Sequence, residues 1–377
     1  MMMLEQSSEP GGERKFAILH NLSSAPDIKA GACPTCIIHD GSDAPRQSFS
    51  IDAYIRLRRL KVPAELHLFD GYRADWTVCA DEFIRQMGFV GEPAKEVKLM
   101  ERYVDNAGRA RCERENVWPD GKTPPAYANQ CTPYIEWHFP LERKTRAIQI
   151  IFSGGGYHWN MPDWFEVAPA RRYMNEKGLT VVTLKYRSPR PAGGLAKHVS
   201  SWQDLQRAIR IVRSKAASFG LDPDRIGIMG GSAGGHLALM GATSSSRRSY
   251  PPIDELDALP CNVQWAVAVY PAYSLTDGVD CMNTNGGNGD EDRLVPEFAF
   301  DGDTCPVIFL HGDADGYSPM ASVRAWQRLR EMGVGAEVHT FATRPHCFQH
   351  KASPGTGSYT YLDKIWEFIG NRGCKAK

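Results

Sequence analysis

The feature that most constrains the fold of this chain is a glycine-rich turn between a strand-like run and a helix-like run. Residues 225–229 read ArgIleGlyIleMet, and residues 230–236 continue as GlyGlySerAlaGlyGlyHis. Ser232 lies at the centre of a G-x-S-x-G motif in a strand–turn–helix context, where small neighbours allow a serine to occupy a sharp turn. A helix beginning there would place partial positive charge beside the serine. This context predicts a nucleophilic serine rather than an incidental serine in a tight turn.

Strands and helices alternate around this turn from about His138 onward. Apolar runs typical of buried strands occupy five ranges: 146–152, 179–186, 225–229, 265–270 and 306–310. Helical patterns occupy residues 168–178, the segment from Trp202 to Val212, and residues 359–370. Short β-branched runs that alternate with helices indicate a parallel sheet covered on both faces. We therefore predict an α/β fold with a mostly parallel central sheet.

An internal repeat adds a second constraint. Residues 33–69 align without a gap with residues 305–341, a shift of 272 positions, and 14 of the 37 aligned pairs are identical. Both segments show the pattern strand, acidic turn, helix, strand. The first segment has no serine motif before it, and Ala74 aligns with His346. We interpret residues 1–92 as a degenerate partial repeat, 93–137 as a mostly irregular connector, and 138–377 as the main domain. The partial repeat is expected to pack through a sheet edge or through the helix at 49–60.

Three further groups fit the chemistry of a nucleophilic serine. Residues 153–156, SerGlyGlyGly, follow a strand and can turn backbone N–H groups toward the serine. They lack the spacing of a phosphate-binding loop. The usual chain order Ser, Asp, His then favours Asp315 and His346, each in a loop after a strand. Asp313 competes with Asp315; we prefer Asp315, which aligns with Asp43 of the first repeat, and expect Asp313 to bind loop backbone.

Composition excludes several classes of function. Lys+Arg and Asp+Glu are both 44, so the chain lacks the electrostatic signature of a nucleic-acid-binding or polybasic membrane-surface protein. No apolar run approaches the ~18 residues of a membrane span. No pair of histidines plus a carboxylate has local metal-ligand spacing, and no cofactor or metal is expected. The first 15 residues show no signal-peptide pattern, which favours the cytoplasm, or export if the native N-terminus is longer.

These motifs resemble the α/β-hydrolase superfamily, and within it carbohydrate esterases such as acetylxylan and feruloyl esterases. The resemblance covers roughly residues 138–372 and is strongest over 221–238, LeuAspProAspArgIleGlyIleMetGlyGlySerAlaGlyGlyHisLeuAla. It implies Ser232 as nucleophile, His346 as general base and acid, and Asp315 as the orienting carboxylate. It also implies three backbone donors of an oxyanion hole: Gly155, Gly156 and Ala233. Many relatives have His-Gly-Gly-Gly where this chain has SerGlyGlyGly, a departure that weakens assignment to the lipase-like branch.

The resemblance implies hydrolysis of carboxylic esters through an acyl-enzyme on Ser232. The expected substrates are plant polysaccharides or oligosaccharides that carry acetyl or hydroxycinnamoyl groups. Substrate contacts are expected from Tyr157, His158 and Trp159, next to the glycine loop. Two alternatives are a prolyl-oligopeptidase-like peptidase and a non-catalytic carbohydrate-binding protein on a hydrolase fold. The peptidase usually adds a propeller domain, for which 137 N-terminal residues leave no room. Neither nucleic acid nor membrane is an expected partner, and the oligomeric state stays open.

Overall fold

The computed structural model describes residues 2–4, 16–24, 26–39, 44–70, 75–90, 94–98, 109–124, 130–191, 195–276 and 293–374. Within them the strands are β1 (Met2–Leu4), β2 (Ala17–His20), β3 (Thr35–His39), β4 (Ala64–Leu68), β5 (Val97–Lys98), β6 (Arg109–Asn116), β7 (Tyr134–Pro140), β8 (Ile148–Phe152), β9 (Thr180–Lys185), β10 (Ile226–Gly231), β11 (Trp265–Val269), β12 (Val307–Gly312), β13 (Ala336–Phe341) and β14 (Lys351–Ala352). The α-helices are α1 (Ala44–Arg59), α2 (Trp76–Gln86), α3 (Ala168–Glu176), α4 (Val199–Ala216), α5 (Ala233–Thr243), α6 (Met320–Glu331) and α7 (Tyr361–Ile369). Among these described helices, none combines the length and apolar character needed to cross a bilayer.

The chain forms two compact units, and each draws on separate stretches of sequence. Unit 1 contains Met1–Lys98, Tyr273–Val295 and Ile308–Tyr361. Unit 2 contains Leu99–Ala272, Pro296–Val307 and Leu362–Lys377. The linear domains predicted from sequence, 1–92, 93–137 and 138–377, differ from these units, because both repeat segments contribute to unit 1. The predicted division into 1–92, 93–137 and 138–377 stays a prediction.

Unit 1 is built on six strands in the order β1-β2-β3-β4-β13-β12, with β5 and β14 forming a separate antiparallel pair. Strands β2, β3 and β4 run parallel. Strand β4 then pairs antiparallel with β13, and His67 lies opposite His339. The N-terminal segment thus packs through a sheet edge, one of the two arrangements expected from the sequence.

The two repeat segments of unit 1 share local hydrogen bonds at aligned positions. His39 Nδ1 lies 3.1 Å from Ser50 Oγ, and the aligned His311 Nδ1 lies 2.9 Å from Ser322 Oγ. In each case a histidine at the end of a strand is tied to the helix that follows. Asp43 and Ala74, which the alignment matches with Asp315 and His346, lie outside the described residues. The origin of the first segment by partial duplication stays a prediction.

Unit 2 contains the α/β core that the apolar runs predict. Its strands follow the order β11-β10-β8-β9-β7-β6, with β8 to β11 parallel and β6 and β7 antiparallel. Strands β8, β10 and β11 are buried throughout, as expected for a parallel sheet covered on both faces. Gly178 and Gly220, with φ of 82° and 69°, follow the ends of the α3 and α4 segments where the sequence predicts them. These element predictions are confirmed.

Strand β6 is a regular element within the predicted connector 93–137 that the sequence did not indicate. Its sequence, ArgAlaArgCysGluArgGluAsn, carries charges at most positions and lacks the apolar alternation of a half-buried strand. It nevertheless pairs along its length with β7, and Arg114 donates to Glu136 at 2.9 Å across the pair. Strand β6 lies at the end of the strand order, where a strand can be polar along one edge and on one face. Hydrophobic patterning therefore does not identify it.

Candidate active site

The turn at Ser232 holds that residue in a strained backbone conformation. Ser232 has φ 56° and ψ −122°, a region that residues with a side chain rarely occupy. Its N–H donates to the Val269 carbonyl at 3.0 Å, and its own carbonyl accepts from the Ala272 N–H at 3.1 Å. These bonds tie the turn to β11 and to the residues that follow it. A strained serine between β10 and α5 is the geometry expected from the G-x-S-x-G motif.

Close backbone contacts explain the glycines on both sides of this serine. A Cβ atom on Gly230 would lie 2.3 Å from the Gly234 carbonyl oxygen. A Cβ atom on Gly234 would lie 2.7 Å from the Ser153 carbonyl oxygen. Any side chain at either position would therefore push the turn away from the neighbouring backbone.

The glycine loop at residues 153–156 lies directly against Ser232. A Cβ atom on Gly154 would lie 2.6 Å from the Cβ of Ser232, so only a glycine allows this approach. Tyr186 stabilises the loop, because its hydroxyl donates to the carbonyls of Ser153 and Gly154 at 2.9 and 2.8 Å. Unit 2 thus brings together the serine, the loop with Gly155 and Gly156, and Ala233 at the start of α5.

Glu166 is a residue of this site that the sequence analysis missed. Its carboxylate accepts from the Gly154 N–H at 2.6 Å and from the Tyr270 hydroxyl at 3.1 Å, and only 3% of the residue is exposed. A Cβ atom on Gly231 would lie 2.8 Å from Glu166 Oε1, so the carboxylate also borders the serine turn. A lone acid in the otherwise apolar run TrpPheGluValAla, 164–168, was the available signal. Because Glu166 engages Gly154, that residue has no free N–H for a substrate.

Asp315 and His346 meet in unit 1. His346 Nδ1 lies 2.7 Å from Asp315 Oδ2, and the Tyr317 N–H donates to Asp315 Oδ1 at 2.7 Å. Burial raises the pKa of Asp315, but hydrogen bonds from His311 and His346 outweigh it and lower the pKa to about 2. Asp315 is therefore a carboxylate at neutral pH and can orient and stabilise a charged imidazole.

The contact with Asp315 also shifts the pKa of His346, in the opposite direction. Burial lowers the pKa of His346, but the hydrogen bond and charge of Asp315, together with Cys347, raise it above the ordinary value of 6.5. The ring centroid of Tyr317 lies 4.9 Å from that of His346. A quarter of the His346 side chain stays exposed, so the imidazole can exchange protons with a ligand or with water.

Asp313 has other partners than those expected. Its carboxylate accepts from the Tyr54 hydroxyl at 2.7 Å and from Arg58 Nη1 at 2.5 Å, both on α1. The nearest backbone donor is Ala64 N–H at 3.4 Å, which belongs to β4 rather than to the loop of Asp313. The expected bond to its own loop backbone is therefore wrong, because α1 supplies a cation and a hydroxyl that satisfy this carboxylate.

The three expected substrate-contact residues lie in different environments. Tyr157 is fully buried and its hydroxyl lies 2.8 Å from His236 Nδ1, so its ring is not an exposed platform and this expectation needs correction. His158 is exposed, and Trp159 is 57% exposed. The Trp159 ring meets Trp164 edge to face, with centroids 6.5 Å apart. The exposed aromatic surface of this loop is thus Trp159.

Three side-chain groups in the described residues could hold a metal ion: Cys36 with Glu65 and His67; Cys112 with Glu136 and His138; and His198 with His236 and Glu297. In the first, His67 Nε2 already lies 3.1 Å from Glu65 Oε2. In the second, His138 Nε2 lies 3.1 Å from Thr183 Oγ1. In the third, burial lowers the pKa of His236 and lowers that of His198 to about 4, so both imidazoles are neutral at pH 7. Sequence spacing shows none of these groups, because tertiary structure assembles them.

The chain is similar to several proteins that are named esterases. A family model described as BD-FAE matches residues 137–298. An acetylxylan esterase of Xylanibacter ruminicola is 24% identical over 250 residues, which cover 62% of this chain and 46% of that protein. The esterase LipQ of Mycobacterium tuberculosis is 30% identical over 257 residues, which cover 62% of this chain and 58% of that protein. The chain spans about half the length of these curated relatives.

A solved structure shows the same fold. The acetyl ester-xyloside bifunctional hydrolase from Caldicellulosiruptor lactoaceticus superposes with a TM-score of 0.55 and 25% sequence identity. The superposition covers 71% of this chain and 99% of the other. The similarity thus extends over the whole of that enzyme and leaves part of this chain unmatched.

Proposed function

We propose that the chain is a serine-dependent carboxylic ester hydrolase of the α/β-hydrolase superfamily. The observation that carries the proposal is the contact between the strained turn at Ser232 and the backbone of the glycine loop at Gly154. A serine oxygen beside converging backbone N–H groups provides both a nucleophile and a site for a developing oxyanion. The Asp315–His346 hydrogen bond supplies an oriented base of the kind that such a serine requires.

The proposed reaction assigns one role to each group. His346 takes the proton of Ser232 as its Oγ attacks the ester carbonyl carbon, while Asp315 stabilises the imidazolium. Backbone N–H groups bind the oxyanion of the tetrahedral intermediate, and we assign this role to three residues: Gly155, Gly156 and Ala233. Collapse of the intermediate breaks the C–O bond, and His346 protonates the departing alcohol. Water, deprotonated by His346, then attacks the acyl-enzyme and releases the acid and Ser232.

The proposed substrates are acetylated or hydroxycinnamoylated plant oligosaccharides and polysaccharides. One similar protein is named an acetylxylan esterase, and another is named an acetyl ester-xyloside bifunctional hydrolase. An exposed indole suits an apolar face of a sugar ring, and Trp159 offers one on the loop that borders the serine. We therefore assign the carbohydrate part of the substrate to the side of Trp159.

The test is hydrolysis of p-nitrophenyl acetate and methyl ferulate by the wild type and by Ser232→Ala. Ser218→Ala is the matched control, because Ser218 is exposed and its hydroxyl only donates to the Lys215 carbonyl. We expect Ser218→Ala to keep wild-type turnover and Ser232→Ala to lose it. The ratio of the two rates in the wild type identifies the preferred acyl group.

Labelling with a fluorophosphonate separates the remaining outcomes. A folded protein that labels on Ser232 but cleaves neither ester has a working nucleophile and another acyl substrate, which a panel of acylated xylo-oligosaccharides and a prolyl peptide anilide would identify. A folded protein that neither labels nor cleaves would contradict the proposal and favour a non-catalytic carbohydrate-binding protein.

A further inference from the structure

Three side chains of unit 2 converge from separate segments of the chain. His198 lies immediately before α4, His236 lies in α5, and Glu297 lies in the stretch that precedes β12. His236 Nε2 is 3.4 Å from Glu297 Oε1, and His198 Nδ1 is 3.6 Å from the same oxygen. The three candidate ligand atoms all lie within 4.8 Å of one another. We call this set the His198–His236–Glu297 cluster.

The separations within the cluster match ligand spacing better than direct pairing. Zn²⁺ binds imidazole nitrogen and carboxylate oxygen at about 2.0–2.1 Å, so two ligand atoms of a tetrahedral site lie about 3.3–3.4 Å apart. The observed 3.4 and 3.6 Å are close to that edge length. A charge-assisted hydrogen bond between imidazolium and carboxylate would instead be about 2.7–2.9 Å long.

The second nitrogen of His236 faces the Glu297 carboxylate at 3.4 Å, without the geometry of a good hydrogen bond. The residue is 1% exposed, its Nδ1 lies 2.8 Å from the Tyr157 hydroxyl, and its Nε2 makes no hydrogen bond. Buried polar atoms normally make well-formed hydrogen bonds, so this long contact fits two ligands of one ion better than a hydrogen-bonded pair. If Nδ1 carries the proton and donates to Tyr157, the Nε2 lone pair is directed toward Glu297, as in a histidine that binds a metal.

We propose that the His198–His236–Glu297 cluster binds a divalent transition-metal ion, for which two imidazoles and one carboxylate make zinc the preferred occupant. Three protein ligands leave a fourth tetrahedral position for water. The cluster reaches the serine turn through its own residues, since His236 lies one helical turn after Ser232 and contacts Tyr157, which follows the glycine loop. The ion is therefore a positioning group, which fixes the first turn of α5 against that loop.

The positive charge of Lys197, which precedes His198, allows a test of the proposed metal site. The ammonium group of Lys197 disfavours positive charge on both His198 and His236. It opposes a bound metal ion in the same way, because both effects are Coulombic. Removing this charge with Lys197→Met is therefore expected to tighten metal binding, whereas removing a ligand weakens it.

The experiment is a titration of the chelator-treated full chain with Zn²⁺, followed by calorimetry and by competition with a fluorescent chelator. We expect one equivalent to bind, with affinity lowered by at least about tenfold in His198→Ala and in Glu297→Gln. Lys197→Met is expected to raise the affinity by roughly threefold or more. Cys112→Ser and Cys36→Ser are matched controls that remove ligands of the other two groups, and both should bind as the wild type does.

Co²⁺ provides a second measurement that does not depend on any substitution. A site made of two imidazoles and one carboxylate gives tetrahedral visible bands without the thiolate charge-transfer band that a cysteine ligand would produce. The proposal is overturned if the wild type binds no stoichiometric Zn²⁺, or if His198→Ala and Glu297→Gln both bind it with wild-type affinity. A thiolate band that disappears in Cys112→Ser or Cys36→Ser would assign the metal to another group.

Discussion

Replacing Glu166 by glutamine tests whether this carboxylate positions the glycine loop. Its two oxygens accept from the Gly154 N–H and from the Tyr270 hydroxyl, in a buried location next to the serine turn. Glutamine keeps the shape of the side chain and one acceptor oxygen. Its oxygen can accept from the Gly154 N–H while its NH₂ group donates to the Tyr270 hydroxyl, so both contacts are kept but the charge-assisted bond to Gly154 becomes a neutral one.

The size of the effect follows from these contacts. A hydrogen bond to a charged group contributes about 1.5–3 kcal/mol and a neutral one about 0.5–1.5 kcal/mol, so we expect Glu166→Gln to lower the free energy of unfolding by about 1–2 kcal/mol. The neutral amide also holds the Gly154 N–H less firmly, which lets the loop move. Removal of one oxyanion donor costs about 10²–10³ in turnover, and partial displacement of the loop is expected to cost at least about tenfold.

Two assays measure these effects separately. Urea unfolding gives the stability change, and the rate of fluorophosphonate labelling of Ser232 reports the oxyanion site without requiring the natural substrate. The matched control is Glu176→Gln, which makes the same chemical change on the exposed end of α3 and should alter neither quantity. If Glu166→Gln unfolds like the wild type and labels within twofold of its rate, Glu166 does not position the loop.

The remaining predictions concern the acids of unit 1 and the serine turn. His346 must lose its proton to act as a base, and its pKa is raised by Asp315, so the acid limb of kcat/KM should lie above pH 6.5. Asp315→Asn should move this limb to lower pH and reduce kcat by about 10³–10⁴, as a pH–rate profile would show; an unmoved limb would exclude the pairing. Asp313→Ala leaves the half-buried Arg58 without its carboxylate, so unfolding in urea should show a loss of up to about 3 kcal/mol, while kcat of the folded fraction is kept. A loss of kcat equal to that of Asp315→Asn would reverse the choice of acid. Gly234→Ala would place a Cβ 2.7 Å from a carbonyl oxygen of the glycine loop, and its labelling rate should fall by more than tenfold, with unchanged labelling refuting the close contact.

Features encoded in short stretches of sequence could be predicted. The strand before Ser232 and the helix after it follow from an apolar run, a glycine turn and a helical pattern, all within residues 225–243. The strands β8 to β12 could also be predicted from the sequence, because burial on both faces requires continuous apolar runs. In unit 1, Asp315 and His346 each follow a strand, and their proximity agrees with the motif order.

Features that depend on distant partners could not be predicted. Strand β6 has no apolar pattern and forms because β7 offers it a complementary edge. Glu166 is identified only by what surrounds it in the folded chain, namely Gly154 and Tyr270. The His198–His236–Glu297 cluster joins three segments spread over about a hundred residues, so no local sequence spacing predicts it. Tyr157 is predicted as a substrate contact from its place beside the glycine loop, because the sequence does not show that its ring is buried in the folded chain.

The pairing of β4 with β13 has a consequence for self-association. Aligned residues, His67 and His339, face each other across an antiparallel pair, which is the arrangement that a local pseudo-twofold axis produces in an isologous dimer. The chain therefore provides within itself the strand that a second molecule would otherwise add to β13. Because β4 occupies the edge of β13, the repeat removes that edge as a template for strand addition by another molecule.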